Sequence, residues 1–231
     1  MNYGFAPADG TSIALRLDDH DEPDRLCIQL YELVARPADL NGKEVLEVGS
    51  GRGGGASYLA RYHQPAQMTG VDFSPQAVKF CGERHSGVAN LKFSVGDAEA
   101  LSFPDASFDA VINVESSHCY GDVCKFFAEA HRVLRPGGWF LFADLRGSKE
   151  GSDLEGMLRR QPWQSVEKEE ITAGVLKALE LDDVRKRTMI ERMIPARLRP
   201  LFEEFAGLTG SKVYRGLQSG DLIYLRFALR K

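Results

Sequence analysis

The sequence predicts a doubly wound α/β domain, and three observations carry that prediction. Short apolar runs at 44–48, 68–72, 91–95, 109–114 and 139–143 alternate with helical patterns at 56–62, 75–84 and 122–134. The first run passes into a turn with five glycines among the seven residues 49–55. Leu134-Arg135-Pro136-Gly137-Gly138 then ends a helix on a Pro-Gly stop and leads into the fifth run. Strand–helix alternation of this kind implies a parallel sheet with helices on both faces and ligands at the C-terminal ends of its strands.

Each element has a local reason. Residues 1–22 are irregular, acidic and small, and Leu26, Leu30, Leu33 and Val34 then recur at helical spacing. Asn41-Gly42 forms the turn into the first strand, and Ser74-Pro75 supplies an N-cap and a first-turn proline for the helix at 75–84. Residues 147–207 break the alternation. Ile171, Val175 and Leu179 recur at helical spacing, as do Met189, Met193, Leu201, Phe202 and Phe205, so two or three inserted helices are expected. Lys212–Leu217 and Leu222–Leu229 are expected to pair as an antiparallel hairpin around Ser219-Gly220-Asp221. The expectation is a single domain over 1–231 with a mostly parallel sheet of seven strands. It divides into an N-terminal segment and helix (1–40), a cofactor-binding core (41–146), a helical lid and substrate region (147–207) and the C-terminal hairpin (208–231).

Composition narrows the partners. A net charge of −4 disfavours a broad surface for nucleic acid or anionic membrane, although it leaves room for a local basic patch. The acidic N-terminus shows no secretory pattern and no apolar run approaches the ~20 residues of a spanning helix. Cys27, Cys81, Cys119 and Cys124 form no Cys-x-x-Cys pair, which reads as reduced thiol usage in a cytoplasmic protein. No compact Cys/His set has zinc-site spacing, so no metal is expected.

The glycine turn is where chemistry is expected. Glycine accepts positive φ and lets a ligand approach bare backbone, and the N–H groups opening the next helix favour an anionic or strongly polar group. Gly49, Gly51 and Gly54 formally satisfy the dinucleotide fingerprint, with Asp72 about 20 residues on as the ribose acid. Glu47 disturbs that reading, because a nicotinamide site usually keeps the strand apolar there. A carboxylate in the strand either orients the loop, attracts a positively charged cofactor or caps local N–H groups.

The ordered set Glu-Val-Gly-Ser-Gly-Arg-Gly (47–53), Gly-Val-Asp-Phe-Ser (70–74), Gly-Asp-Ala-Glu (96–99), Phe-Asp-Ala-Val (108–111) and Leu-Arg-Pro-Gly-Gly (134–138) resembles the class I S-adenosylmethionine-dependent methyltransferases. The resemblance is close over 40–145 and holds in outline elsewhere. Asn2-Tyr3-Gly4, the glycine loop and Val-Glu-Ser-Ser-His-Cys-Tyr (114–120) are similar to the small-molecule branch. Within it they most resemble the phthiotriol and phenolphthiotriol dimycocerosate O-methyltransferases. The resemblance implies a Rossmann-like fold with S-adenosylmethionine as donor. By position, Gly49, Ser50 and Gly51 would line its methionine portion with Glu47 behind them. Asp72 would accept from the ribose hydroxyls, Phe73 would pack on the adenine, and Asp97 and Ala98 would face the adenine amino edge. Asn113 would complete the cofactor set. For Asp72 the competing role is a simple N-cap in the strand-to-helix turn.

His118 follows the fourth strand, where the resemblance places the methyl group, and imidazole titrates near neutrality. It is the candidate base for an acceptor hydroxyl; otherwise it bonds backbone near Gly121. Glu115 is the second candidate, orienting His118 or touching the cofactor. His20, His63, His85 and His131 are expected to be structural, and Tyr3 and Tyr120 are candidates to close over a sulfonium. The expected function is O-methylation of a hydroxyl on a natural product or lipid-like polyketide. Rivals are C-methylation of a lipid or quinone-like acceptor, a nicotinamide dehydrogenase, and a donor-binding protein without turnover. The dehydrogenase lacks a Tyr-x-x-x-Lys pair and leaves Asp97 and the 134–138 motif unexplained. The absence of an Asn/Asp-Pro-Pro-Tyr/Phe motif at 113–116 disfavours methylation of nucleic-acid bases.

Overall fold

The computed structural model describes residues 2–11 and 13–231. Its strands are β1 (Glu44–Val48), β2 (Gln67–Asp72), β3 (Leu91–Val95), β4 (Phe108–Val114), β5 (Leu134–Gly147), β6 (Ser165–Glu170) and β7 (Leu222–Arg230). They form one sheet in the order β3-β2-β1-β4-β5-β7-β6. The first five run parallel, and β7 lies antiparallel between β5 and β6. The expected sheet is therefore present: seven-stranded, mostly parallel, with an antiparallel pair at its C-terminal edge. Its helices are α1 (Arg25–Ala35), α2 (Gly54–Tyr62), α3 (Pro75–Arg84), α4 (Val123–Val133), α5 (Ser148–Leu158), α6 (Thr172–Met193), α7 (Arg199–Phe205) and α8 (Lys212–Ser219).

Period-two side-chain alternation builds two cores from one sheet. Val45, Met68, Ile112, Leu141 and Tyr224 face α1, α2, α6 and α8, and pack on Leu30, Val34, Leu59, Val175 and Leu217. Leu46, Val71, Val111, Phe140 and Phe142 face the opposite way, onto Phe126 and Phe127 of α4 and Leu154 and Leu158 of α5. Strand order reverses between β2-β1 and β4-β5, so the crevice opens at the C-terminal ends of β1 and β4.

One arm of the expected hairpin is corrected. Residues 212–219 are α8, not a strand: Ser211 Oγ accepts the Tyr214 N–H at 3.1 Å as an N-cap, and Gly220 at φ +80° ends the helix. Val213, Tyr214 and Leu217 meet the core at helical spacing. The partner of β7 is instead β6, from within the stretch expected to be wholly helical. Ser-Val-Glu-Lys-Glu-Glu shows no apolar alternation because β6 is a solvent-facing edge strand, where charged side chains discourage further pairing.

Candidate active site

The glycine turn is held from beneath. Gly49 and Ser50 donate their N–H groups to the Val71 carbonyl at 2.8 and 2.9 Å. Gly49 has φ +75°, and a Cβ there would overlap Ser116 and lie 2.8 Å from Tyr120 Oη, so only glycine fits. Asp72, the last residue of β2, organises the turn: its Oδ2 accepts Gly51 N–H at 2.7 Å and its Oδ1 accepts Ser74 N–H at 2.9 Å. The cap of α3 is Ser74, whose Oγ accepts Ala77 N–H, so Asp72 is not the simple N-cap weighed for it.

Glu47 lies under this turn, fully buried. Tyr31 of α1 crosses over Gly55, where a Cβ would collide with its ring, and donates its hydroxyl to Glu47 Oε1 at 2.5 Å. Burial, opposed by that hydrogen bond, pushes the Glu47 carboxyl up to about 7. The other oxygen, Oε2, has no partner. Asn113 at the end of β4 is also fully buried. Its Nδ2 donates to Val48 O, Ser116 Oγ and Tyr120 Oη at 2.7–3.0 Å, while its Oδ1 is unpaired. With Ser50 Oγ, these make three of the four buried side-chain polar atoms left without a hydrogen bond among the described residues. Unsatisfied groups of this kind are uncommon, and their gathering at one loop marks where a polar ligand would complete them.

Above the turn opens a cleft of about 990 Å³. Gly49, Ser50, Gly51, Asp72, Phe73, Asp97, Ala98 and Glu115 all line it, so eight of the eleven expected site residues converge there. Phe73 is 76% exposed, a large apolar ring presented to the cleft without a protein partner. Glu47 and Asn113 sit beneath the lining. Tyr120 lines the cleft as expected, whereas Tyr3 packs against Gly207 and Leu179 instead. His20 and His85, expected away from the strand ends, also border the cleft, while His63 bonds Glu32 and His131 lies edge-on to Trp163. Met189 and Met193, from the expected lid and substrate region, lie on an open face of α6 away from the cleft lining.

His118 is on a short 3-10 turn, Ser117–Cys119, immediately after β4 and beside the cleft rather than in its wall. Its Nδ1 pairs with Asp144 Oδ1 at 2.7 Å, and its backbone N–H donates to Asp144 Oδ2 at 3.0 Å. This corrects both the Gly121 alternative and the idea that Glu115 orients His118. Glu115 instead accepts Tyr3 N–H at 2.8 Å and the Tyr224 hydroxyl at 2.9 Å, on a backbone held at φ +50°. Burial pushes its carboxyl up to about 7.

Asp144 is the functional candidate that sequence reasoning missed. It is fully buried on β5, and it also accepts from Ser117 Oγ at 2.7 Å and pairs with Arg146 at 3.0 Å. Burial opposes its ionisation, but His118, Arg146 and Ser117 together hold its carboxyl below the ordinary range. The hydrogen bond to Asp144 in turn raises the His118 imidazole above its ordinary value. The signal was a lone acid inside Trp-Phe-Leu-Phe-Ala-Asp-Leu, a position that must be paired if buried.

Sheet order, a crevice at the strand switch and a glycine turn over unpaired polar atoms define a Rossmann-like enzyme that binds a nucleoside-bearing ligand. Residues 46–142 match the family model described as a methyltransferase domain. The chain is 44% identical over 217 residues to the phthiotriol/phenolphthiotriol dimycocerosates methyltransferase of Mycobacterium tuberculosis (strain H37Ra), covering 94% of this chain and 80% of that one. It is 39% identical to the fatty-acid O-methyltransferase of Mycolicibacterium smegmatis, covering all of this chain and 82% of that one. Among solved structures, a putative sarcosine dimethylglycine methyltransferase from Galdieria sulphuraria superposes over the whole chain and 92% of its own, with a TM-score of 0.74 at 15% identity. The chain belongs to the S-adenosylmethionine-dependent methyltransferases. It is an enzyme, and its methyl donor is S-adenosylmethionine. The residues fit that donor: carboxylates and an exposed phenyl ring line the cleft, and unpaired polar atoms of Glu47, Ser50 and Asn113 gather at the glycine turn. Among the described residues, no helix is long and apolar enough to cross a membrane.

Proposed function

We propose that the enzyme methylates a hydroxyl oxygen of a lipid-like acceptor, with His118 as general base and Asp144 as the residue that positions it. The observation carrying this reading is the His118–Asp144 pair at 2.7 Å beside the donor cleft. Bound donor supplies an electrophilic methyl group on a sulfonium. Everything else falls to the chain. Asp72 receives the ribose hydroxyls while fixing the turn, Phe73 covers the adenine, and Asp97 with the Ala98 N–H reads its amino edge. Gly49, Ser50 and Gly51 accommodate the methionine portion over Glu47 and Asn113.

Asp144 fixes the tautomer: its carboxylate accepts a hydrogen bond from Nδ1–H, which leaves Nε2 as the free base. A hydroxyl is a poor nucleophile until it sheds its proton, so removal by Nε2 and stabilisation of the resulting imidazolium by Asp144 lower the barrier. Glu115 is a cofactor-side residue in this scheme and secures Tyr3 over the end of β4. A carboxylate acceptor, already ionised, would need no base. The buried investment in His118 and Asp144 therefore favours a hydroxyl. The names of the relatives favour a lipid. Residues 1–40, 41–146, 147–207 and 208–231 act in this reading as one catalytic unit, with 147–207 bordering the acceptor. Four free thiols support a reducing, cytoplasmic setting.

The test is transfer of label from methyl-labelled donor in an extract of the native cells, followed by organic extraction. Label in a saponification-resistant ether in the organic phase is expected. Label confined to saponifiable esters would replace the hydroxyl by a carboxylate, and label confined to macromolecules would reject the lipid acceptor.

A further inference from the structure

Large apolar side chains left in water are unevenly distributed on this protein. Nine are exposed among the described residues, and seven of them belong to α6, α7 and the turn between. Leu181 and Val184 project from α6, Met193 ends it, Leu198 lies in the turn, and Leu201, Phe202 and Phe205 follow on α7. Phe205 and Met193 are more than 70% exposed. Leu201 and Phe205 are one helical turn apart and share a side. These residues do not serve the core, and none lines the donor cleft. Large apolar side chains gathered in one region of the surface mark an interaction site.

Its charge identifies the partner. Between Val184 and Phe202 the chain has six basic residues and one acidic, a basic stretch flanked by Asp182 and Asp183 on one side and Glu203 and Glu204 on the other. Arg185 pairs with Asp182 and Arg187 with Asp183, and Lys186 is buried against Asp182. Arg192, Arg197 and Arg199 form no ion pair among the described residues. Arg185, Met189, Arg192 and Met193 share one open face of α6. Glu203 and Glu204 of α7 are half-buried, and Glu204 accepts the Lys212 N–H at 2.9 Å.

We propose that the outer face of α6 and α7 docks on an anionic lipid surface, with Leu201, Phe202 and Phe205 entering the acyl boundary while Arg192 and Arg197 meet the headgroups. Phenylalanine, leucine and methionine beside arginine are the side chains that settle at such an interface. A symmetric second copy fits less well, because it would bring unpaired arginines against one another. One residue links this face to the site: Arg185 of α6 lies 4.0 Å from Asp24, which borders the donor cleft. This inference needs no acceptor to be identified and stands apart from the assignment of His118.

The test is flotation of the full chain with vesicles of phosphatidylcholine alone and with ~30% phosphatidylglycerol, at low and high salt. Wild type should float with the anionic vesicles, at least tenfold more than with neutral ones, and lose most of this at high salt. Leu201→Glu/Phe205→Glu and Arg192→Glu/Arg197→Glu should each reduce flotation at least tenfold, with unchanged Tm and unchanged binding of S-adenosylhomocysteine. Failure of the wild type to float, or equal flotation of both double variants, overturns the proposal. A wild-type dimer by light scattering that Leu201→Glu/Phe205→Glu converts to monomer also overturns it, since the face would then join two copies.

Discussion

The two halves of this molecule spend their exceptions differently. In the half built from β1, β2 and β4, the departures from ordinary packing are polar: a buried carboxylate, an unpaired amide oxygen, an unpaired hydroxyl, all within one loop's reach. In the half built from α6 and α7 the departures are apolar, a row of large side chains facing water. A folded domain tolerates either only where something else completes it. The first half waits for a small polar ligand and the second for an extended apolar one. Asp144 and His118 meet where β5 passes the turn after β4.

The sharpest way to break the comparison is at that junction. Asp144→Asn keeps the shape but offers the imidazole an amide, so kcat should fall on the order of a hundredfold. Donor affinity should change less than twofold. His118 must be neutral to act, so activity rises with pH through its raised value. Removing the carboxylate lowers that value, and the acid limb of the kcat profile should move to lower pH. An unmoved limb would remove Asp144 as the positioning residue.

Next in size is Asp72→Ala, which deletes the proposed ribose acceptor and its hydrogen bonds to the Gly51 and Ser74 N–H groups. Binding of S-adenosylhomocysteine by calorimetry should weaken at least tenfold, about 1.4 kcal/mol or more; unchanged affinity would detach this residue from the donor. Gly49→Ala should lower Tm, since its Cβ would meet Ser116 and Tyr120 at a positive φ, at a cost on the order of 1–3 kcal/mol. Gly54→Ala, at a normal φ with nothing within 4 Å, should be close to neutral and is the control.

The smallest effect is a pH dependence of stability. Glu47 and Glu115 have folded-state values raised to about 7, so each favours its protonated form in the folded chain. The stability tied to that form is complete below pH 4.5 and is lost as pH rises through about 7. The ligand-free protein should therefore melt lower at pH 8.5 than at pH 5.5. Bound donor, which carries positive charge, should narrow the difference. A Tm that climbs over this range would contradict the buried-carboxyl account.

The comparison also explains what could be read in advance. The donor half was legible because its signals are local: a glycine turn needs particular residues at fixed offsets, and an acid at a strand end is conspicuous. Glu47, Asp72 and Asp97 all came from such offsets. The cap was not legible, because its contacts are long-range. β6 is an edge strand without apolar alternation, and α8 shows its helix only through Ser211 and Gly220 at its ends. Leu201, Phe202 and Phe205 read only as a helical stripe, because spacing reports a shared face without saying what covers it. Asp144 was missed for a related reason: its meaning lies in His118, 26 residues away across two strands.

The measurement closest to the central claim uses two long-chain acceptors matched in length, one ending in a hydroxyl and one in a carboxylate, with wild type and His118→Ala. The account predicts that wild type methylates the hydroxyl acceptor and that His118→Ala loses at least about a hundredfold in kcat on it, with donor affinity intact. Full-speed turnover of the hydroxyl acceptor by His118→Ala, or turnover of the carboxylate alone, would contradict it.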